Sequence, residues 1–159
     1  MSKKWWVGLL VWWCATTAWA GEVTVSEAWA RATAPGQDSA AVAMRIVSRK
    51  EARIVAVVSS FASSSEIHSM VHENGMMKMR ALDAMLLPAN QSVSLGADGN
   101  HLMLMGLKQP LKAGDTVTLT LVVQFADKHK ENVKVEAEVK PLAAGHDHGS
   151  MGHEHHHHH

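Results

Sequence analysis

The dipeptide Asn74-Gly75 constrains the fold more than any other feature of this 159-residue sequence. Asn-Gly is the pair most favoured in a two-residue type I′ turn, which joins adjacent antiparallel strands and fixes their register. The runs on either side of it alternate in character, so the sequence predicts a β-hairpin centred on this turn. The pairs that this register places opposite one another are His72–Met77, Met70–Met79 and His68–Ala81.

The rest of the sequence also predicts strands, with little that indicates helix. Turn residues such as Pro35-Gly36 and Ala113-Gly114-Asp115 separate short alternating or β-branched runs. Short strands at such intervals are typical of an all-β sandwich or barrel. The predicted strands are 23–29, 40–47, 54–59, 66–71, 77–82, 92–95, 101–107, 116–125 and 133–139.

Histidine and methionine side chains share one face of the predicted hairpin, because strand side chains alternate between the two faces of a sheet. His68 and Met79 are then diagonal neighbours, close enough to bind one ion. The segment His101-Leu102-Met103 places its histidine and methionine on one face and its leucine on the other. The candidate metal ligands are therefore His68, Met79, His101 and Met103.

Two imidazoles and two thioethers, with no thiolate or carboxylate, form a soft and neutral ligand set that suits Cu(I). Taken singly, each of these residues has a structural alternative, since methionine fills gaps in cores and a strand histidine often serves only as a hydrogen-bonded scaffold. As a cluster they favour metal binding, because methionine oxidises and a core can use leucine instead. Met70, His72 and Met77 are candidate auxiliary ligands that guide copper exchange or cover the metal, with local packing as the alternative role.

The N-terminus has the pattern of a secretory signal peptide over residues 1–20. Lys3 and Lys4 precede an apolar run, and Ala18-Trp19-Ala20 offers a small-x-small cleavage site. The run is too short to span a bilayer. Cys14 follows Val11-Trp12-Trp13 rather than a small residue, which argues against lipidation, so we expect a periplasmic protein with no stable membrane anchor after cleavage.

The chain that remains after cleavage contains no cysteine, which excludes disulfides, thiolate metal sites and the His₂Cys centre of blue-copper proteins. The whole chain has 15 basic and 15 acidic residues, and removing Lys3 and Lys4 leaves 13 against 15, a balance of −2. Nothing in this balance indicates nucleic-acid binding. No nucleophile motif or carboxylate–histidine constellation is present either, so the sequence favours a binding protein over an enzyme. Residues 21–141 are long enough for one domain.

Residues 142–159 form a histidine-rich tail with too little apolar area to fold, so we expect disorder in the absence of metal. Its imidazoles suit Cu(II), which makes it a second candidate copper site. A purification tag is the alternative for the five terminal histidines, His155 to His159. The tail residues outside that run that we assign to metal binding are His146, His148, Met151 and His153.

The four candidate ligands follow the pattern His-x10-Met-x21-His-x-Met, and in this respect the sequence resembles the periplasmic copper chaperones of the PCuAC type. The similarity extends over roughly residues 23–141 and includes Gly75-Met76-Met77-Lys78-Met79-Arg80 in the hairpin. It implies a single-domain, cupredoxin-like Greek-key β-sandwich that binds one Cu(I) through His68, Met79, His101 and Met103.

The resemblance also implies a function and partners. The protein would deliver copper to respiratory oxidase assembly, with the copper-site subunit of cytochrome c oxidase as acceptor and thiol-bearing Sco-type assembly proteins as further partners. The alternative is a copper storage or resistance protein of the envelope, which would use the same ligands without a dedicated acceptor.

Overall fold

The computed structural model describes residues 21–96 and 99–142. Ten strands occupy most of these residues, and they contain no helix long and apolar enough to cross a membrane. The strands are β1 Val23–Arg31, β2 Ser39–Ser48, β3 Ala52–Ser59, β4 Ala62–Glu73, β5 Met76–Ala81, β6 Met85–Leu87, β7 Ser92–Leu95, β8 Asn100–Leu107, β9 Thr116–Phe125 and β10 Lys130–Lys140.

Hydrogen-bonded neighbours in the sheet follow the order β5-β4-β8-β2-β1-β10-β9-β3-β6, and β7 also pairs with β2. All pairings between these strands are antiparallel except that of β1 with β10, which run parallel. Buried side chains from both ends of this order form one hydrophobic cluster, so the sheet encloses a single core. The predicted all-β sandwich with a single domain is confirmed.

Strand β9 shows most clearly how the sequence pattern builds this core. Val117, Leu119, Leu121, Val123 and Phe125 are buried, whereas the residues between them are at least partly exposed. This is the period of two that one buried face requires. The same alternation in β8 buries Leu102 and Leu104 and turns the residues between them outward.

The nine predicted strands are all present, most of them longer by one to four residues at an end. The sequence did not predict β6, whose three residues are too few to show a period. Its Met85 and Leu87 are buried, and it pairs with the start of β3. The predictions for residues 1–20 and for the tail beyond Leu142 lie outside the described residues.

Candidate metal centre

The β4–β5 hairpin has the predicted turn and the predicted register. Asn74 and Gly75 both have positive φ angles, 52° and 77°, which a type I′ turn requires at its two central positions. The three predicted pairs, His72–Met77, Met70–Met79 and His68–Ala81, are all observed. The turn chemistry of two residues thus determines which side chains of the hairpin share a face.

His68 and Met79 are in direct contact on this face. The His68 Nδ1 atom lies 3.3 Å from the Met79 Sδ atom. The His68 side chain is only 15% exposed, whereas Met79 is 52% exposed. His68 is therefore largely covered by its neighbours, whereas Met79 is accessible to solvent.

Strand β8 supplies the other two predicted ligands. It lies on the opposite side of β4 from β5, and His101 is directly paired with His68. Met103 is paired with Glu66 of β4 and with Ala41 of β2. Because Leu102 is fully buried, its neighbours His101 and Met103 occupy the outer face, where both are partly exposed. The four predicted ligands thus lie on one face of three adjacent strands.

Glu66 belongs to this face, although no role for it was predicted from the sequence. Its Oε2 atom is 2.9 Å from the Nε2 atom of His68. A carboxylate accepts a hydrogen bond, so this contact favours a proton on Nε2 and leaves the lone pair of the neutral ring on Nδ1, the nitrogen beside Met79. The position of Glu66 two residues before His68 in an alternating strand could have revealed it.

The predicted auxiliary residues lie farther along the same face, toward the turn. His72 Nδ1 is 3.3 Å from Met77 Sδ, and Met70 is paired with Met79 between this contact and His68. The other face of the hairpin is charged. The Glu73 Oε2 atom forms ion pairs with a guanidinium nitrogen of Arg80 at 2.7 Å and with the Lys78 Nζ atom at 3.3 Å. The two faces of the hairpin therefore differ in chemistry.

An open groove of about 300 Å³ runs beside His101 and is lined by Trp29, Arg31 and Ala41, among others. The Trp29 ring lies 4.9 Å from the Lys140 ammonium nitrogen and 5.9 Å from the Arg31 guanidinium carbon. Such distances are typical of cation–π contacts. The surface next to the β8 ligands thus includes an aromatic ring in contact with two cationic side chains.

Two carboxylates away from the hairpin have lowered pKa values because a residue two positions away in the chain donates a hydrogen bond to each. A hydrogen bond from His129 holds the pKa of Asp127 below its usual value, and a hydrogen bond from Lys134 does the same for the pKa of Glu136. Within residues 21–96 and 99–142, no group of three or more His, Cys, Asp or Glu side chains is arranged to hold a metal ion. The predicted tail ligands, His146, His148, Met151 and His153, lie outside the described residues.

Comparison with known proteins agrees with this architecture. The family model "Putative lipoprotein LpqE-like" matches residues 23–139. "Putative lipoprotein Lxx21020" of Leifsonia xyli subsp. xyli is 37% identical over 114 residues, which cover 71% of this chain and 68% of that protein.

Two solved structures share the fold. The apo PCuAC domain from PmoF1 superposes with a TM-score of 0.61 at 24% identity, covering 77% of this chain and 96% of that domain. The solution structure of Cu(I)-DR1885 from Deinococcus radiodurans gives a TM-score of 0.59 at 33% identity, covering 79% of this chain and 83% of that protein. The expected cupredoxin-like fold is therefore confirmed, and the chain belongs to the LpqE-like family and has the fold of PCuAC domains.

Proposed function

We propose that this protein is a periplasmic Cu(I) chaperone whose metal centre consists of His68, Met79, His101 and Met103. The observation that supports the proposal most strongly is that two imidazoles and two thioethers lie on one outer face of strands β5, β4 and β8, with His68 and Met79 in contact. Thioether and neutral imidazole ligands favour Cu(I) over harder ions. The similarity to a protein solved as its Cu(I) form supports copper as the ion.

Glu66 would act on the metal through His68 rather than bind it. Metal-binding histidines commonly donate their second ring N–H to a carboxylate, which fixes the tautomer and orients the ring. Here the contact between Glu66 and Nε2 would keep Nδ1 free for copper. The ligands themselves stay neutral, and Glu66 provides one nearby negative charge.

The same ligand chemistry favours release to a cysteine site. Copper held by neutral ligands keeps its positive charge, so an acceptor with thiolates gains electrostatic energy by extracting it. Met79 is half exposed, which lets an acceptor ligand enter before the last donor ligand leaves. Copper stays in the Cu(I) state throughout, and only ligands are exchanged. The protein would thus act by binding and transfer rather than as an enzyme.

The acceptors we propose are the copper-site subunit of cytochrome c oxidase and thiol-bearing Sco-type assembly proteins. An envelope location is supported by the lipoprotein names of the family and of the Leifsonia relative. We propose that this chain is released after Ala20, since no small residue precedes Cys14. The intact mass of the exported protein tests this: an N-terminus at Gly21 supports release, and an acylated Cys14 contradicts it.

The tail would be a second copper site with the opposite preference. Its histidines suit Cu(II), so it would capture oxidised copper and pass it to the domain after reduction by an external reductant. This division of labour assigns His146, His148, Met151 and His153 to capture, and the four ligands of the sheet to delivery.

Copper transfer to an apo acceptor tests the function. The Cu(I)-loaded chain is mixed with the soluble copper-site domain of an oxidase subunit under anaerobic reducing conditions, and the acceptor is then separated and its copper measured. A chaperone fills the acceptor faster than a small Cu(I)–chelate complex of equal affinity does. Transfer no faster than from the chelate would instead favour the storage or resistance role.

A further inference from the structure

The hairpin contains two histidine–methionine contacts of the same length, one between diagonal neighbours and one between directly opposite residues. In each, a histidine Nδ1 lies 3.3 Å from a methionine Sδ across the β4–β5 pair. The first contact joins His68 to Met79 and belongs to the proposed centre. The second joins His72 to Met77, and the proposed centre does not use it.

The second contact lies at the exposed end of the hairpin. His72 is exposed, and Met77 has 58% of its surface accessible to solvent. Packing explains such a pair poorly, because an exposed methionine buries little apolar area and can be oxidised. The local packing role that the sequence left open for His72 is therefore the weaker explanation.

Met70 lies in the gap between the two contacts. His72 lies four residues from His68 on β4, roughly 13 Å along the strand, and Met77 lies two residues from Met79 on β5, roughly 7 Å along the strand. Met70 lies between the two histidines on the same face. A methionine side chain has three rotatable bonds, so the Met70 thioether can reach toward either contact.

The charges of the hairpin leave this face open to a cation. Lys78 and Arg80 pair with Glu73 on the other face, as strand alternation requires. No cationic side chain of the hairpin therefore shares the face of His72 and Met77. A positive ion approaching this face meets imidazole and thioether groups.

We propose that His72 and Met77 form a second Cu(I) site at the tip of the hairpin, with Met70 as a ligand shared between this site and the proposed centre. The inference rests on the proposed function, because it takes Cu(I) to be the ion. The tip site would be the point where copper enters and leaves. An ion moving between the sites exchanges one neutral ligand for another, and no electron is transferred.

Methyl NMR of the full chain with labelled methionine ε-methyl groups tests this proposal. Cu(I) is added anaerobically from one equivalent into excess, so that uptake by the tail does not conceal the tip site. Met76 is a matched internal control: it is 59% exposed and adjacent to Met77 in the chain, but it lies on the other face. We expect the Met77 signal to shift in excess Cu(I) and the Met76 signal to stay in place.

The methyl signals of Met79 and Met103 separate this inference from the proposed function. If they shift while Met77 does not, the tip site is wrong and the proposed centre stands. If neither the Met79 signal nor the Met103 signal shifts, the proposed centre is wrong. A shift of Met76 equal to that of Met77 indicates unspecific binding to exposed methionine and also overturns the tip site.

Stoichiometry gives a second test. The double variant His72→Gln/Met77→Leu should bind one Cu(I) equivalent fewer than the Met76→Leu variant. Because His72 and Met77 are exposed, both variants should fold, which far-UV circular dichroism checks. Equal copper content in the two folded variants would contradict the proposal.

Discussion

Replacing Glu66 separates the role of an orienting carboxylate from that of charge alone. The Glu66 carboxylate contacts His68 Nε2 at 2.9 Å. In Glu66→Ala this partner is lost, and the neutral imidazole is free to place its proton on either nitrogen. The ring then binds copper through Nδ1 only part of the time, so the Cu(I) affinity of the centre falls.

The size of the effect follows from the exposure of the contact. A metal-binding histidine donates a hydrogen bond from its other ring nitrogen, and loss of the group that accepts this bond typically lowers metal affinity 10- to 100-fold. Glu66 is 45% exposed, and water replaces part of its function, so we expect the lower end, about tenfold or ~1.4 kcal/mol. Glu66→Gln keeps a hydrogen-bond acceptor, but the neutral amide forms a bond about half as strong as the carboxylate does. We therefore expect this variant to lower Cu(I) affinity by only about threefold.

Glu73 offers a matched control on the same strand. Glu73→Gln makes the same change in charge, but Glu73 pairs with Arg80 and Lys78 on the other face. It lies about 17 Å along β4 from His68, beyond the screening length of ~8 Å at physiological salt. We therefore expect no change in Cu(I) affinity from this variant.

The assay measures occupancy of the centre at Cu(I) concentrations set by a chromophoric chelator, with the Met79 methyl NMR signal as the readout. Long-range ¹H–¹⁵N spectra of His68 report which nitrogen carries the proton. The reasoning is refuted if Glu66→Ala binds Cu(I) as tightly as the parent chain, or if Glu73→Gln weakens binding as much as Glu66→Gln does.

Three substitutions in the sheet and one deletion of the tail give further predictions. Met103→Leu should lose tight Cu(I) binding with little change in thermal stability, whereas Leu102→Ala, at a fully buried position, should cost about 2–5 kcal/mol of unfolding free energy by chemical denaturation. Gly106→Ala should lower the midpoint of thermal unfolding, because Gly106 has φ +63° and a Cβ atom there would lie 2.9 Å from the Ser63 Oγ atom. Cu(II) binding by the tail should weaken between pH 7 and 5, because imidazoles protonate near pH 6.5. Deletion of residues 143–159 should abolish this Cu(II) binding and leave Cu(I) binding by the sheet intact, which isothermal titration at both pH values measures.

The hairpin was predictable because its information is local. Two residues, Asn74 and Gly75, select the turn type, and the period of two then assigns each neighbouring side chain to a face. The same period predicted the outward positions of His101 and Met103. Their closeness to His68 depends on the pairing of β4 with β8, which no local signal specifies, and the family resemblance supplied that link.

Other features were out of reach because they depend on distant partners. The parallel pairing of β1 with β10 joins the two ends of the domain, and the sequence contains no local sign of it. Strand β1 also contains a bulge near Glu27, whose φ of 53° is unusual for a residue other than glycine. The role of Glu66 was not predicted for a different reason: the soft ligands of Cu(I) are histidine and methionine, whereas the residue that orients His68 is a carboxylate.

The atoms that coordinate copper identify its ligands without reference to any relative. X-ray absorption at the copper edge is measured on the full chain loaded with one equivalent of Cu(I). Two sulfur and two nitrogen scatterers are expected around copper. A shell of nitrogen and oxygen alone, as the histidines of the tail would give, contradicts the assignment of Cu(I) to His68, Met79, His101 and Met103.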